Sequence, residues 1–204
     1  MLQGYYQDVI DAYSISWIDF DIEGSALSNR VSVDRRNQAI RYLQVAQPSL
    51  RVSYTLPVTT SGLTTDGIYL LQSAITLGVR IDVVNILALD FASAAAPNGL
   101  TDMGSYAIQS ATSTYAQAHQ IGLPDTTLIG ICVMIGQNDA NSQVFTIVNT
   151  KQLVTWALQQ PWVGWLSYWN VNRDNSVRSA DLIVSSNLQQ SQYQFAQNFV
   201  KFEN

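Results

Sequence analysis

Charge is scarce in this sequence. Asp, Glu, Lys and Arg make up 12% of its 204 residues, about half the usual share. The formal net charge is −5 and no run of Lys and Arg occurs, which excludes the clustered positive surface that a nucleic-acid partner requires. A single cysteine, Cys132, excludes an intrachain disulfide; inside the apolar run 128–134 it reads as a small core residue. A catalytic thiol would want a histidine, and the only one, His119, lies in a polar, helix-like stretch. The same scarcity leaves no His/Cys metal set. No stretch of about 20 apolar residues is present, so no transmembrane helix is expected. The first residues lack the basic and apolar regions of a signal peptide.

What the chain does have is apolar material, 47% of it, organised as strand-length runs alternating with amphipathic segments of helical spacing. Strands are predicted at 15–22, 51–57, 82–91, 128–135 and 163–169, and helices near 34–46, 62–77, 102–120, 151–158 and 187–202. Five β-α units in succession predict a parallel sheet covered by helices, an α/β fold. Parallel strands buried on both faces read as nearly continuous apolar runs, and these do. No linker, second domain or low-complexity segment interrupts the pattern. Either a doubly wound open sheet or part of a (β/α)8 barrel fits. Polar and acidic residues gather at the C-terminal ends of four strands: Asp19, Asp21 and Glu23; Asp90; Asn138 and Asp139; Asn170, Asn172 and Asp174. Barrel enzymes and open sheets alike place their sites there. No glycine-rich turn follows the first strand, so a nucleotide site loses ground.

Asp19, Asp21 and Glu23 are spaced by two. In a strand they point to one face, leaving Ile18, Phe20 and Ile22 to face the helices. An exposed edge strand with a solvated acidic face would show the same spacing, but not inside so apolar a segment. Neighbouring like charges raise at least one carboxyl pKa, and a raised pKa suits a general acid. The ladder is therefore expected to keep Glu23 protonated. Acids at strand ends could also hold Mg²⁺ or Ca²⁺, but no other cluster of oxygen ligands is evident.

The segment Trp17-Ile18-Asp19-Phe20-Asp21-Ile22-Glu23 resembles the Asp-x-Asp-x-Glu signature on the fourth barrel strand of glycoside hydrolase family 18 chitinases. Four more segments resemble later strands of the bacterial type, in order: Ser53-Tyr54-Thr55-Leu56-Pro57-Val58 the fifth, Val84-Asn85-Ile86-Leu87-Ala88-Leu89-Asp90-Phe91 the sixth, Met134-Ile135-Gly136-Gln137-Asn138-Asp139 the seventh, and Gly164-Trp165-Leu166-Ser167-Tyr168-Trp169-Asn170 the eighth. The resemblance implies an incomplete (β/α)8 TIM barrel spanning 1–204, with the three N-terminal units missing. It also implies an extracellular hydrolase of β-1,4-linked N-acetylglucosamine polymers, acting with retention through the substrate's own acetamido group. No cofactor or metal is implied, and neither nucleic acid nor membrane is a partner.

By position, Glu23 would be the general acid and base, Asp21 would hold the acetamido N–H, and Asp19 would share a proton with Asp21. Trp169 would floor the sugar site and Asp90 would line it, with Gln137 and Asn138 as contacts. The sequence departs from the family at Ser16, where an acid is usual, and at Leu89 and Phe91, where a tyrosine hydroxyl is expected; Tyr54 or Tyr168 could substitute. Trp156, Trp162 and Trp165 are expected to pack between helices and strands. Five strands would leave bare sheet edges open to self-association. A non-hydrolytic carbohydrate-binding protein and an inactive barrel fragment are the alternatives.

Overall fold

The structure is a computed structural model and describes residues 2–140 and 142–202. Helix α1 (Leu2–Tyr13) leads into β1 (Trp17–Asp21), followed by the short α2 (Gly24–Ser28) and α3 (Arg30–Ala46). Next come β2 (Arg51–Thr59), β3 (Gly62–Leu63), α4 (Thr65–Thr76), β4 (Val83–Leu87) and α5 (Met103–Gln120). The rest is β5 (Leu128–Met134), β6 (Gly136–Gln137), β7 (Val144–Phe145), α6 (Ile147–Ala157), β8 (Val163–Trp169) and the short α7 (Ala196–Phe199). Strands β1, β2, β4, β5 and β8 lie side by side in that order, all parallel. The five form an incomplete α/β barrel. The expected strands and most of the expected helices are present.

Alternation along each strand sorts side chains to two faces. The outer one carries Phe20, Val52, Tyr54, Leu56, Val84, Ile86, Ile129, Ile131 and Val133, all buried with α4 and α5 residues such as Leu70, Leu71, Ala107 and Ala111. Each large side chain withdrawn from water contributes roughly 1.5–3 kcal/mol. The inner face is different. Register places Asp21, Thr55, Asn85, Gly130 and Trp165 in one row across all five strands. The sheet curls so far that its two outer strands meet through side chains: the Trp17 and Trp165 rings lie 4.9 Å apart, centroid to centroid. Gly130 makes the room, since a Cβ there would overlap the Trp165 indole nitrogen.

Several elements differ from the sequence expectation, each for a local reason. Helix α1 was not anticipated; it buries only Ile10, in a small cluster with Leu43 and Leu50, and sets Tyr6 edge-on against Phe20. Helices α3 and α6 start four residues before their predicted positions because polar residues cap them. Asn29 accepts from the Ser32 N–H at 3.0 Å, and Thr146 and Asn149 form a reciprocal capping box. The strand predicted at 82–91 stops at Leu87, and Asp90 adopts a positive φ of 45°. Most of the predicted helix 187–202 is not helical. Asn187 and Tyr193 both have φ of 58°, and the buried Asp174 carboxylate draws this segment around itself, accepting from Gln190 Nε2, Phe195 N and Ala196 N.

Candidate active site

The acid ladder hangs from β1. Its pairing with β2 continues past the strand end, where Ile22 N–H donates to the Thr55 carbonyl at 3.0 Å, and Glu23 stays extended, at φ −132° and ψ 169°. Alternation therefore carries through all three acids. Asp21 and Glu23 line a cavity of about 420 Å³ at the C-terminal end of the strands, together with Trp169. Asp90 and Asp139 form a second acidic wall, and Leu87, Leu89, Cys132 and Met134 supply the apolar lining. The indole of Trp169 is 53% exposed, free to meet a ligand face. The volume suits a small-molecule cleft.

Asp19 sits lower and does not line the cavity. It accepts from the hydroxyls of Ser53 and, at 2.7 Å, Thr55. Those hydroxyls belong to a chain of hydrogen bonds across the inner face: Trp17 Nε1 donates to Ser53 Oγ at 3.2 Å, Asn85 Nδ2 to Thr55 Oγ1 at 3.0 Å, and Trp165 Nε1 to Asn85 Oδ1 at 2.9 Å. The chain leaves Asp19 as an acceptor. The Asp21 carboxyl is pushed up from its ordinary value, by burial first, then by the charges of Glu23 and Asp19. Asp21 stands between the two other acids, and all three are exposed to solvent.

Four expected contacts are not in the cavity lining. Tyr54 is fully buried on the outer face and donates to Asn37 Oδ1 at 2.7 Å. Tyr168 also faces outward, its ring 5.2 Å from that of Phe199 and nearly parallel to it. Both occupy even positions on strands whose odd positions face the interior, so neither supplies the hydroxyl that Leu89 and Phe91 lack. Phe91 is itself buried, edge-on to Tyr106. Asn138 is wholly buried and spends its side chain on the loop: Nδ2 donates to the Met134 and Gly136 carbonyls, and Oδ1 accepts from Asp90 N. Gln137 lies outside the cavity lining, its amide directed at the Asn138 and Gln143 carbonyls. Asp139 reaches the cavity instead.

Trp165 also departs from expectation: it belongs to the inner face, while Trp156 and Trp162 pack outside, Trp162 stacked on Tyr115. Cys132 is not simply core; it lines the cavity, and burial pushes its thiol up to about 11. The residues missed from sequence are Thr55, Asn85 and Trp165. A polar Asn85 in the middle of an apolar strand was the available signal, since a buried amide must find partners.

Among the described residues, no group of three or more His, Cys, Asp or Glu side chains is arranged to hold a metal, and no helix is long and apolar enough to cross a membrane.

A half-barrel of parallel strands with acids and an exposed indole at its C-terminal end resembles the active-site face of a (β/α)8-barrel enzyme. No family model matches the chain. Over 186 residues it is 30% identical to a probable bifunctional chitinase/lysozyme of Escherichia coli (strain K12) and to Endochitinase 11 of Metarhizium anisopliae, covering 85% of this chain in each case. The crystal structure of the catalytic domain of a hyperthermophilic chitinase from Pyrococcus furiosus superposes with a TM-score of 0.84 at 30% identity, over 98% of this chain. Catalytic-site mutants of active domain 2 of that organism's thermostable chitinase, complexed with chito-oligosaccharides, match equally well at 28% identity. The chain is thus similar to chitinase catalytic domains, in line with the chitinase resemblance of its sequence. It spans 21% and 35% of the length of the two curated relatives and 65% of the first solved domain.

Proposed function

We propose that this chain carries the acid machinery of a retaining chitinase that cleaves β-1,4-N-acetylglucosamine linkages in chitin or its oligosaccharides, outside the cell. The observation that carries the reading is that Glu23, Asp21 and Trp169, from the first and last strands of the sheet, line one cavity. An indole face matches the C–H face of a sugar ring. Glu23, at the cavity mouth, protonates the leaving glycosidic oxygen and then takes a proton from water. Asp21 accepts the acetamido N–H, so that the acetamido oxygen attacks the anomeric carbon without a protein nucleophile. Burial and two neighbouring acids let Asp21 carry a proton at higher pH than an ordinary carboxyl does, suiting it to pass between charged and neutral forms as positive charge grows beside it. Asp19, held as an acceptor by the Ser53 and Thr55 hydroxyls, stands behind it.

Hydrolysis of a fluorogenic chitobioside by the wild type and by Glu23→Gln tests this. Glu23→Gln is expected to lose about 10²–10⁴-fold in kcat, the range for removal of a general acid, and to keep oligosaccharide binding. Equal rates in the two proteins would reject Glu23 as the acid. Wild-type binding without hydrolysis would favour a carbohydrate-binding role.

A further inference from the structure

Arg173 is 0% exposed. It ends the 3-10 turn Val171–Arg173 after β8, behind the cavity wall formed by Asp90 and Asp139. Its Nη2 donates to the Gln137 carbonyl, and its own carbonyl accepts from Ser186 N at 3.1 Å. Its Nε and Nη1 are buried without a hydrogen-bond partner among the described residues. A buried charge with unsatisfied donors is costly, so some feature of the surroundings must favour it. The adjacent Asp174 does not serve, because both its oxygens are committed to the 190–196 segment. No described carboxylate contacts the guanidinium directly. Burial disfavours the charged guanidinium most, and the charges of Asp139 and, second, Asp90 act against that effect.

The two acids are coupled by the same loop. Ala140 N donates to Asp90 Oδ1 at 2.8 Å and Asp90 N donates to Asn138 Oδ1 at 3.2 Å. Residues 137–140 thus link Arg173 to Asp90 through main-chain bonds.

We propose that Arg173 is a positioning residue: it fixes the 137–140 loop against Asp90 and supplies the buried counter-charge for the Asp90–Asp139 pair that walls the cavity. Its consequence for binding rests on the carbohydrate reading above, to which we add that a charged Asp90 accepts a hydrogen bond from a sugar hydroxyl. The electrostatic coupling does not rest on it. Burial and the Asp139 charge push Asp90 up, while the Ala140 and Asp139 N–H groups and Arg173 pull it down. The other ionisable groups facing this cavity are Asp21 and Glu23 on the opposite wall and the Cys132 thiol.

The test is an NMR titration of the Asp90 side-chain carboxyl carbon in wild type, Arg173→Met, Arg173→Lys and Asp139→Asn, with chitotetraose binding measured alongside. Arg173→Met is expected to move the Asp90 midpoint up, by less than loss of the Asp139 charge moves it down. Asp139→Asn should move it down. Arg173→Lys should hold it near the wild-type value, because the charge remains, though the Gln137 bond is weakened. Chitotetraose binding by Arg173→Met should fall at pH values between the wild-type and shifted midpoints and recover above them. Should Arg173→Met fail to fold, the Lys and Asn variants still decide. An Asp90 midpoint that does not fall in Asp139→Asn, or that rises in Arg173→Lys as far as in any charge-free variant, overturns the proposal. If the wild type binds no chitotetraose while the midpoints shift as described, the sugar reading fails and the counter-charge role stands.

Discussion

The two faces of one sheet obey different rules. The outer face is apolar and covered, and the hydroxyl of its buried Tyr54 is matched by Asn37. The inner face alternates with it residue by residue, yet holds acids, hydroxyls, an amide and two indoles joined by hydrogen bonds. Helix packing supplies the free energy that folds the chain. That leaves the inner face free to keep groups that folding alone would not select: three acids side by side and a large exposed indole. Stability and chemistry are thus separated by one step along the strand.

Paired substitutions can break this separation. The largest effect is expected on the inner face: Glu23→Gln should abolish most hydrolysis, as set out above, while leaving the melting temperature within about 1 °C, because an exposed side chain away from special features rarely matters to stability. On the outer face the signs reverse. Leu56 is fully buried on β2, so Leu56→Ala should cost about 2–5 kcal/mol in urea unfolding and leave KM unchanged in the fraction that remains folded. Activity lost in step with stability in both variants would mean that the two faces do not divide the work.

Gly130 sharpens the comparison, being an inner-face residue whose role is packing. A Cβ there would overlap the Trp165 indole nitrogen and come within 2.7 Å of Asn85 Oδ1. Gly130→Ala is therefore expected to destabilise by about 1–3 kcal/mol, as overpacking does, and to move Trp165 off Asn85. Denaturant unfolding followed by tryptophan fluorescence reads both. A variant as stable as the wild type would show that the curl of the sheet does not depend on that contact.

The outer face was legible in the sequence because its signals are local: apolar runs, helical spacing and breaks at Gly and Pro placed all five strands, β8 to the residue. The acid ladder was legible for the same reason, since strand alternation alone puts Asp19, Asp21 and Glu23 on one face. The relay Ser53–Thr55–Asn85–Trp165 was not, because it depends on register between strands up to 80 residues apart in the chain. The same dependence misplaced Tyr54 and Tyr168; counting alternation from Asp21 across the pairing to Thr55, and from Trp169 back along β8, would have turned both outward. Asn138 was misread because a polar residue at a strand end looks the same whether it meets a ligand or braces its own loop.

The smallest expected effect is a pH dependence confined to the inner face. Asp21 holds its proton more tightly in the folded chain than its ordinary value of 3.8 allows. A carboxyl raised in this way favours folding when protonated, so its contribution is fully present below the unfolded value and is lost as pH rises through the folded one. Asp21→Asn does not titrate and escapes the loss. It is therefore expected to melt higher than the wild type at neutral pH, by less than about 1 kcal/mol, since the group is well exposed to solvent. The gain should vanish below about pH 3.8, where both side chains are neutral. Asp90 is raised in the same direction, but it is present in both proteins, so the difference between their melting curves across pH isolates Asp21. An equal gain at all pH values would assign the effect to packing around residue 21 and remove the charge crowding on which the ladder's chemistry depends.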